Sequence, residues 1–215
     1  MPNISLCAQE NEVHYNPDPY KGHVYVDLGL PSGTKWATMN VGATKPEEYG
    51  LYFAWGETEG YANASTKAFV WSDYKWTEDK GSTMSKYNAT DGKTVLDLED
   101  DAARANWGGN WHMPTKTQFE ELLNTNNCTN TWTTVNGVNG RLFTSVSNGN
   151  TLFIPAAGRA RNGSMDGVGS YGYVWSSSLY SSEVKRGRSL YFGSDDVYAD
   201  ALIRCFGYSV RGVAS

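Results

Sequence analysis

The chain has 215 residues, 40% of them hydrophobic, and includes eight Trp and fourteen Tyr. A chain of this length can bury a core without a metal or disulfide staple, and three widely spaced cysteines argue against a disulfide framework. A formal net charge of −5 argues against a nucleic-acid partner, which normally requires a basic surface. No stretch is apolar enough to insert into a membrane.

The N-terminal part is predicted to be a short arm followed by one domain. Residues 1–21 are polar, contain Pro17 and Pro19, and lack the charged start and apolar stretch of a signal peptide. From residue 22 to residue 215 no internal repeat is visible, so we expect a single domain over 22–215.

Three strands are predicted in the first part of this domain. Alternating apolar and polar residues begin at 23–28, and a turn at 31–33 separates them from a second strand at 34–41. A third, aromatic strand is predicted at 49–55. Residues 56–92 are rich in turn-forming residues, so we expect mostly loop there.

A first helix is predicted over residues 97–106. Its acidic start suits the positive end of a helix dipole, and Gly108 follows its end. The spacing of Leu98, Ala102 and Ala105 predicts that they form its buried face.

A second helix is predicted to begin after Thr115. Thr115 and Gln118 have the spacing of a capping box, in which each side chain bonds the other residue's backbone N–H. Phe119, Leu122 and Leu123 recur at helical spacing and should form the stripe that packs on a sheet.

The remainder is predicted to be short strands joined by turns. Asn136-Gly137 and Asn139-Gly140 are turn signals, and strands are expected at 151–155 and around Trp175. These elements predict an α+β fold in which two helices pack on short, irregular antiparallel strands with much loop.

Several motifs together resemble one known family. They are YVDLGLPSG at 25–33, WAT at 36–38, NVGA at 40–43, YFAWGET at 52–58, WGGNW at 107–111, MPT at 113–115, WSSS at 175–178 and GYSVR at 207–211. This set resembles the Fibrobacter succinogenes major paralogous domain family of Bacteroidetes, whose members end in GFSVR. The resemblance implies a C-type lectin-like fold, in the variant shared with formylglycine-generating enzyme.

The resemblance also implies a function. Some members from gut Bacteroidetes and their phages resemble the variable proteins of diversity-generating retroelements, whose C-terminal segment is altered by adenine-directed mutagenesis. By this resemblance the chain is a variable ligand-binding protein located on a cell surface or phage particle. Its expected partner is a protein or glycan receptor, and its expected variable segment covers about residues 173–213.

The composition of the tail fits this mechanism. Asparagine occurs seventeen times up to Asn162 and never afterwards. Asn codons altered at adenines can encode Tyr, Asp, Ser, Gly, Val and several others, but not Lys, Glu, Gln, Met or Trp. None of these five excluded residue types occurs in residues 189–215, whereas Glu183 and Lys185 lie outside the pattern.

Strand alternation indicates which tail residues face a ligand. Leu190 and Phe192 should point into the core, Tyr191 outward, and Val197 inward. Residues 201–203 are predicted to be an exposed apolar trio in a turn-like region. The predicted ligand-contacting residues are Tyr191, Gly193, Asp196, Tyr198, Asp200, Ala201, Leu202, Ile203 and Phe206.

A structural interpretation of the same tail is kept as the alternative. Each tail aromatic could be a half-buried strand residue, and the chain could then be an invariant cell-surface or adhesion module with a fixed C-terminal segment. Tyr208 occupies the core Phe position of the family ending. Arg204, Arg211, Trp111 and Trp175 are expected to stabilise the scaffold rather than contact ligand.

Catalytic and metal interpretations are not favoured. Cys205 has no second cysteine near it in sequence, so the cysteine pair of formylglycine-generating enzymes is not supported. No catalytic motif or metal-ligand spacing is present, and residues 99–101 are predicted to be a helix start rather than a calcium site. We therefore expect no enzyme activity, no metal and no cofactor, and the sequence does not indicate an oligomeric state.

Overall fold

The computed structural model describes residues 20–215, and nearly all of the predicted N-terminal arm lies outside them. The fold is mostly β, with 37% strand and 11% helix, so the predicted α+β class is wrong. Two short α-helices contribute little, because the strands hold more than three times as many residues as the helices. None of the helices in residues 20–215 combines the length and hydropathy needed to cross a lipid bilayer.

The elements of the described region are short. The helices are α1 (Ala102–Trp107) and α2 (Lys116–Leu123). The strands are β1 (Tyr25–Asp27), β2 (Lys35–Asn40), β3 (Tyr52–Phe53), β4 (Cys128–Val135), β5 (Val138–Ser145), β6 (Thr151–Pro155), β7 (Arg159–Arg161), β8 (Ser164–Asp166), β9 (Gly172–Leu179), β10 (Arg186–Phe192), β11 (Val197–Ile203), β12 (Tyr208–Ser209) and β13 (Arg211–Ala214).

A five-stranded sheet in the order β11-β10-β9-β12-β3 is the centre of the fold. Strands β9 and β12 pair in parallel, whereas the other pairs of this sheet are antiparallel. Two three-stranded sheets, β1-β2-β13 and β4-β5-β6, and the hairpin β7-β8 complete the arrangement. Strand β13, the last strand of the chain, therefore pairs with β2 and joins the C-terminal part of the fold to its N-terminal part.

Helix α2 forms as its sequence predicts. The Thr115 side chain accepts a hydrogen bond from the Gln118 amide, and the Gln118 side chain accepts one from the Thr115 amide at 2.8 Å. Phe119 and Leu122 are fully buried, and they share a core cluster with Leu190 of the central sheet. The capping box and the buried stripe are both confirmed.

The predicted first helix is divided at Asp101. Residues 98–100 form a 3-10 turn. Helix α1 begins after Asp101, whose side-chain carboxylate accepts a hydrogen bond from the Arg104 amide at 2.9 Å. The same carboxylate accepts the Met113 amide at 2.7 Å, so it ties α1 to the next segment. Ala102 is fully buried as predicted, but Leu98 is 52% exposed and Ala105 is also exposed, so the predicted buried face is wrong at those two residues.

The two predicted Asn-Gly turns have different outcomes. Asn136 and Gly137 have φ values of 48° and 84° and join β4 to β5 as a two-residue turn. This conformation suits Asn and Gly because both tolerate positive φ. Gly140 instead lies inside β5, opposite Pro155 of β6, so the prediction of a second turn at Asn139-Gly140 is wrong.

Two buried arginines hold distant segments of the scaffold together. Arg204 donates to the carbonyl oxygens of Tyr87, Val184 and Lys86 and to the Tyr74 hydroxyl. Its guanidinium also lies 4.7 Å from the ring centre of Trp55. The predicted scaffold role of Arg204 is therefore confirmed.

Arg211 has the same role at the other end of the tail. It donates to Asn40 Oδ1, to the Ala37 carbonyl and to the Phe153 carbonyl, at 2.9, 2.9 and 3.1 Å. Its complete burial lowers the pKa of this guanidinium from the ordinary value. Trp111, Trp175 and Tyr208 are likewise fully buried, as predicted.

Candidate ligand-binding face on the C-terminal hairpin

Strands β10 and β11 form a regular antiparallel hairpin in which all seven residues of each strand are paired. The Gly193 amide donates to the Asp196 carbonyl at 2.9 Å and closes the connection between the strands. Within residues 20–215, β11 is the last strand of the central sheet and has β10 as its only strand partner. The hairpin is therefore the outer part of that sheet.

The inner side of the hairpin is anchored in the core. Leu190 and Phe192 are fully buried, as alternation predicts, and Val197 is half-buried against the same cluster. The Phe192 ring covers Gly172 of β9, where an added Cβ would come within 1.9 Å of the ring. Gly172 therefore permits the close packing of this aromatic side chain.

The other side of the hairpin carries a row of tyrosines. Tyr173, Tyr191 and Tyr198 stand opposite one another on β9, β10 and β11. The Tyr191 ring centre lies 5.3 Å from that of Tyr173, 4.9 Å from that of Tyr198 and 5.9 Å from that of Tyr171. We call these four residues the tyrosine face; Tyr171 and Tyr198 are 42% and 45% exposed.

The tyrosine face has a distinct electrostatic environment. Burial, and then the neighbouring Tyr173 and Tyr198, raise the pKa of Tyr191 to about 12. The Tyr191 phenol is therefore a neutral hydrogen-bonding group at physiological pH. The tyrosine face combines apolar ring surface with hydroxyl groups, which suits both protein and carbohydrate ligands.

Charged residues border the tyrosine face. The Arg159 guanidinium lies 5.1 Å from the ring centre of Tyr173 and pairs with Asp166 at 2.8 Å. Arg161 contacts the same carboxylate at 3.0 Å. On the hairpin side, the exposed Asp196 and the half-buried Asp200 supply negative charge. A ligand on this face would meet cations at one border and carboxylates at the other.

Four of the predicted ligand residues belong to this surface. Tyr191 is part of the tyrosine face, and alternation along β11 places Tyr198, Asp200 and Leu202 on one side of that strand. Asp196 is exposed at the hairpin turn.

Gly193 and the apolar trio depart from the prediction. Gly193 is buried, and its carbonyl oxygen accepts a hydrogen bond from Arg141 Nη1 at 3.0 Å. Residues 201–203 form the end of β11 rather than a turn, and all three are half-buried. The prediction of three exposed apolar residues is wrong because Leu202 and Ile203 pack against two different core clusters.

Tyr191 and Phe206 are also only partly accessible. Both are half-buried and pack against the cluster that contains Trp175 and Tyr208. Substitution at these two positions therefore acts on the frame as well as on the surface.

Sequence reasoning did not find Tyr171, Arg159 and Arg161, which lie upstream of the predicted variable segment. Their position follows from the pairing of β9 with β10 and from the bridge between Ala160 and Gly207. Tyr171 and Tyr173 do alternate before Trp175, so a β-strand signal exists in the sequence, but it does not say which strand lies beside it.

Side chains cap the free edge of β11. The Asp200 carboxylate accepts the Ala201 amide at 2.7 Å, and Arg186 Nη1 donates to the Ala201 carbonyl at 3.0 Å. An edge strand with unpaired backbone groups can recruit another strand, and charged side chains oppose such pairing. The hairpin thus presents side chains rather than a free backbone edge at this position.

Two other features resemble reactive or metal-binding sites: a cluster of carboxylates, which already binds a lysine, and a cysteine, which is buried. Asp97, Glu99 and Asp100 converge closely enough to hold a cation, but Lys86 Nζ lies among them at 2.8, 3.3 and 2.6 Å. Cys205 is buried and unpaired, and burial raises the pKa of its thiol to about 12. A thiol with so high a pKa is a poor nucleophile at neutral pH.

The fold and this surface define a mostly β domain whose last hairpin displays an aromatic face above a buried frame. Comparison with family models, curated proteins and solved structures finds no match for this chain. The resemblance described from its motifs therefore stays a prediction.

Proposed function

We propose that this protein binds a protein or glycan target through the tyrosine face, which includes Tyr198, and the adjoining β11 residues Asp200 and Leu202. We further propose that it is a variable protein of a diversity-generating retroelement, displayed on a cell surface or phage particle. Binding needs no cofactor in this proposal, and no bond is made or broken.

The observation that supports binding most directly is the packing of the four tyrosines. The Tyr191 ring contacts each of the other three rings, and two of the four residues, Tyr171 and Tyr198, are more than 40% exposed. Tyrosine supplies a large contact area at small entropic cost and is common in binding surfaces. One or two such anchors can carry about 2 kcal/mol or more of binding free energy each.

The contrast between the two sides of the hairpin supports variability. Leu190 and Phe192 fix the hairpin to the core, whereas Asp196 and Tyr198 on the other side are exposed. Substitution of exposed side chains usually changes stability by no more than about 0.5 kcal/mol. Exposed positions of this hairpin can therefore vary without loss of the fold.

Half-buried positions favour the alternative of an invariant adhesion module. Tyr191, Leu202 and Phe206 contribute to the core cluster around Trp175, so only residues of similar size would fit there. Under the variable-protein proposal, these three positions should show fewer residue types than Asp196 and Tyr198.

The DNA around the coding region separates the two candidates. The proposal predicts a second, degenerate copy of the tail-coding segment, differing chiefly at adenines and lying beside a reverse transcriptase gene. Sequencing the locus in several isolates should show changes concentrated at the codons for Asp196, Tyr198 and Asp200. An identical tail in all isolates, with no second copy, would favour the invariant module.

A binding experiment tests the face itself. The probe is an array of host and bacterial glycans, together with a panel of intact gut-bacterial cells. The double variant Asp196→Ser/Tyr198→Ser should lose the signals of the native protein, whereas Val146→Ser, at a residue that is 57% exposed outside the hairpin, should keep them. Equal signals from both variants would contradict the proposed site. Thermal melting of each variant shows whether the fold is intact.

A further inference from the structure

A polar groove lies at the base of the hairpin, apart from the tyrosine face. It has a volume of about 350 Å³ and is bordered by Tyr180, Glu183, Arg186, Arg188 and Ala201, with Asp200 at its rim. Arg186 and Arg188 alternate with Ser189 and Tyr191 along β10, so they point to the opposite side of the strand from the tyrosine face. We call this the arginine groove.

The two arginines of this groove are in different states. Arg186 is held by Glu183 at 2.8 Å and by the Ala201 carbonyl at 3.0 Å. Arg188 has its guanidinium 4.4 Å from the ring centre of Tyr180, and within residues 20–215 no carboxylate pairs with it. Stacking fixes the plane of a guanidinium while leaving its N–H edge free, so Arg188 is oriented but not neutralised.

The free edge of a guanidinium selects planar anions. Two parallel N–H groups match the two oxygens of a carboxylate, and such a pair is stronger than a neutral hydrogen bond. The carboxylates of Glu183 and Asp200 at the borders repel a dianionic phosphate more than a single carboxylate. The Glu183 carboxylate can also accept hydrogen bonds from hydroxyl groups.

We propose that the arginine groove binds the carboxylate of an acidic sugar, with Arg188 as the carboxylate-binding residue and Glu183 as a hydroxyl acceptor. The groove volume is near the lower end of the range of small-molecule sites, about 300–1,000 Å³, and suits a single sugar unit. Its lining is mainly polar, which fits a carbohydrate better than an apolar peptide side chain.

This inference goes beyond the proposed function because it does not depend on variation. Glu183 cannot arise from an altered Asn codon, and Glu183 and Arg186 precede the stretch that lacks the excluded residue types. Glu183 and Arg188 would therefore be constant residues within the expected variable segment, whereas Asp200 at the rim of the groove would change. It would serve the invariant module equally well.

The experiment measures sugar binding by ligand-observed NMR and calorimetry. The probes are the methyl glycosides of glucuronic acid and of N-acetylneuraminic acid, with methyl glucoside, inorganic phosphate and N-acetylalanine for comparison. We expect at least one acidic sugar to bind with a Kd in the millimolar range. Methyl glucoside and phosphate should bind at least about tenfold more weakly, since every tenfold change corresponds to 1.4 kcal/mol.

Variants assign the binding to Arg188. Arg188→Gln should weaken binding of the acidic sugar at least tenfold, and Arg188→Lys should also weaken it because the planar fork is lost. The matched control is Arg104→Gln, which removes an arginine of α1, outside both the groove and the tyrosine face, and should leave the Kd within about twofold, less than 0.5 kcal/mol. Melting curves for all three variants show whether each one folds, and the lysine variant keeps the test valid if the glutamine variant does not.

Several results would overturn the proposal. They are the absence of binding by both acidic sugars at 20 mM, unchanged affinity in both Arg188 variants, and tighter binding of phosphate than of the sugars. Stronger binding of N-acetylalanine than of either sugar would assign the groove to a peptide carboxylate instead. None of these results would affect the outcome at the tyrosine face, because its variants are tested separately.

Discussion

Buried polar side chains of the described region differ in whether their hydrogen bonds are complete. Arg204 and Arg211 make several bonds each, whereas the Ser189 and Tyr208 hydroxyls are shielded from solvent without a partner there. A buried polar atom with no partner loses its hydration and gains nothing in return, which costs about 1–3 kcal/mol. Buried polar residues with complete hydrogen bonds therefore stabilise the core, whereas those without a partner destabilise it.

Tyr208→Phe should stabilise the protein. The substitution removes a buried hydroxyl without a partner and keeps the ring, which packs 4.4 Å from Trp175 between centroids. We expect a gain of about 1 kcal/mol in the free energy of unfolding, measured by urea denaturation. Tyr52→Phe is the matched control, because the Tyr52 hydroxyl donates to the Ala157 carbonyl at 2.6 Å, and its loss should destabilise. A less stable Tyr208→Phe variant would show that the hydroxyl has a partner.

Asp97 should make stability depend on pH in acid. Hydrogen bonds from Lys86 and then Lys93 lower its pKa from 3.8 to about 2. The ionised carboxylate thus favours the folded state, and its contribution is present above about pH 4 and is lost as the pH falls through 2. Asp97→Asn should therefore lose less stability between pH 4 and pH 2 than the native protein.

Urea unfolding at pH 4, 3 and 2 measures this difference. Asp195→Asn serves as the control, since Asp195 makes no ion pair among residues 20–215. Parallel losses in the native protein and in Asp97→Asn would show that the lysine contacts do not hold the carboxylate in solution.

At the scale of elements, the hairpin edge is the feature with consequences for solubility. Strand β11 ends the central sheet, and the side chains of Arg186 and Asp200 occupy the outward backbone groups of Ala201. The same two side chains border the arginine groove. One pair of residues thus protects a strand edge and shapes a candidate site.

The double variant Arg186→Ala/Asp200→Ala should self-associate. Removing both caps exposes the Ala201 N–H and C=O to pairing with a strand from a second molecule. Sedimentation velocity should show more oligomer than in the native protein as concentration rises. The control Lys45→Ala/Asp79→Ala removes one cation and one carboxylate at exposed positions outside the central sheet and should behave as the native protein does. Equal behaviour of both double variants would show that the caps do not prevent pairing.

At the scale of the whole molecule, the fold combines a buried frame with an accessible side. Strand β13 pairs with β2, and Arg211 joins that sheet to β6 through the Phe153 carbonyl. The inner face fixes the hairpin to this frame, and Tyr191 and Leu202 on the other face also pack against the cluster around Trp175. The exposed positions Asp196 and Tyr198 are therefore those that can contact a ligand with the least effect on stability.

Substitutions on the two sides of the hairpin should differ in cost. Phe192→Ala removes a fully buried ring and should destabilise by about 3–5 kcal/mol. Tyr198→Ala removes a ring that is 45% exposed and should change the free energy of unfolding by no more than about 0.5 kcal/mol. Urea unfolding of both variants measures this contrast. A loss above 2 kcal/mol for Tyr198→Ala would place its side chain in the frame and weaken the proposal of a variable surface.

Local features of the fold were predictable from the sequence. The capping box at Thr115, the turn at Asn136-Gly137 and the burial of Leu190 and Phe192 all follow from interactions within a few residues or from strand periodicity. The resemblance also indicated the buried role of Arg204. These predictions are correct because the tertiary contacts at these positions favour the same conformation as the local sequence.

Tertiary structure alone decided the fold class and the composition of the candidate face. The division of the first helix at Asp101 depends on a bond to Met113, and the half-burial of residues 201–203 depends on which core clusters meet the end of β11. The approach of Tyr171 to Tyr191 depends on the pairing of β9 with β10. Strand order and register are set by contacts between residues far apart in the chain, whereas sequence periodicity records only which side of a strand a residue faces.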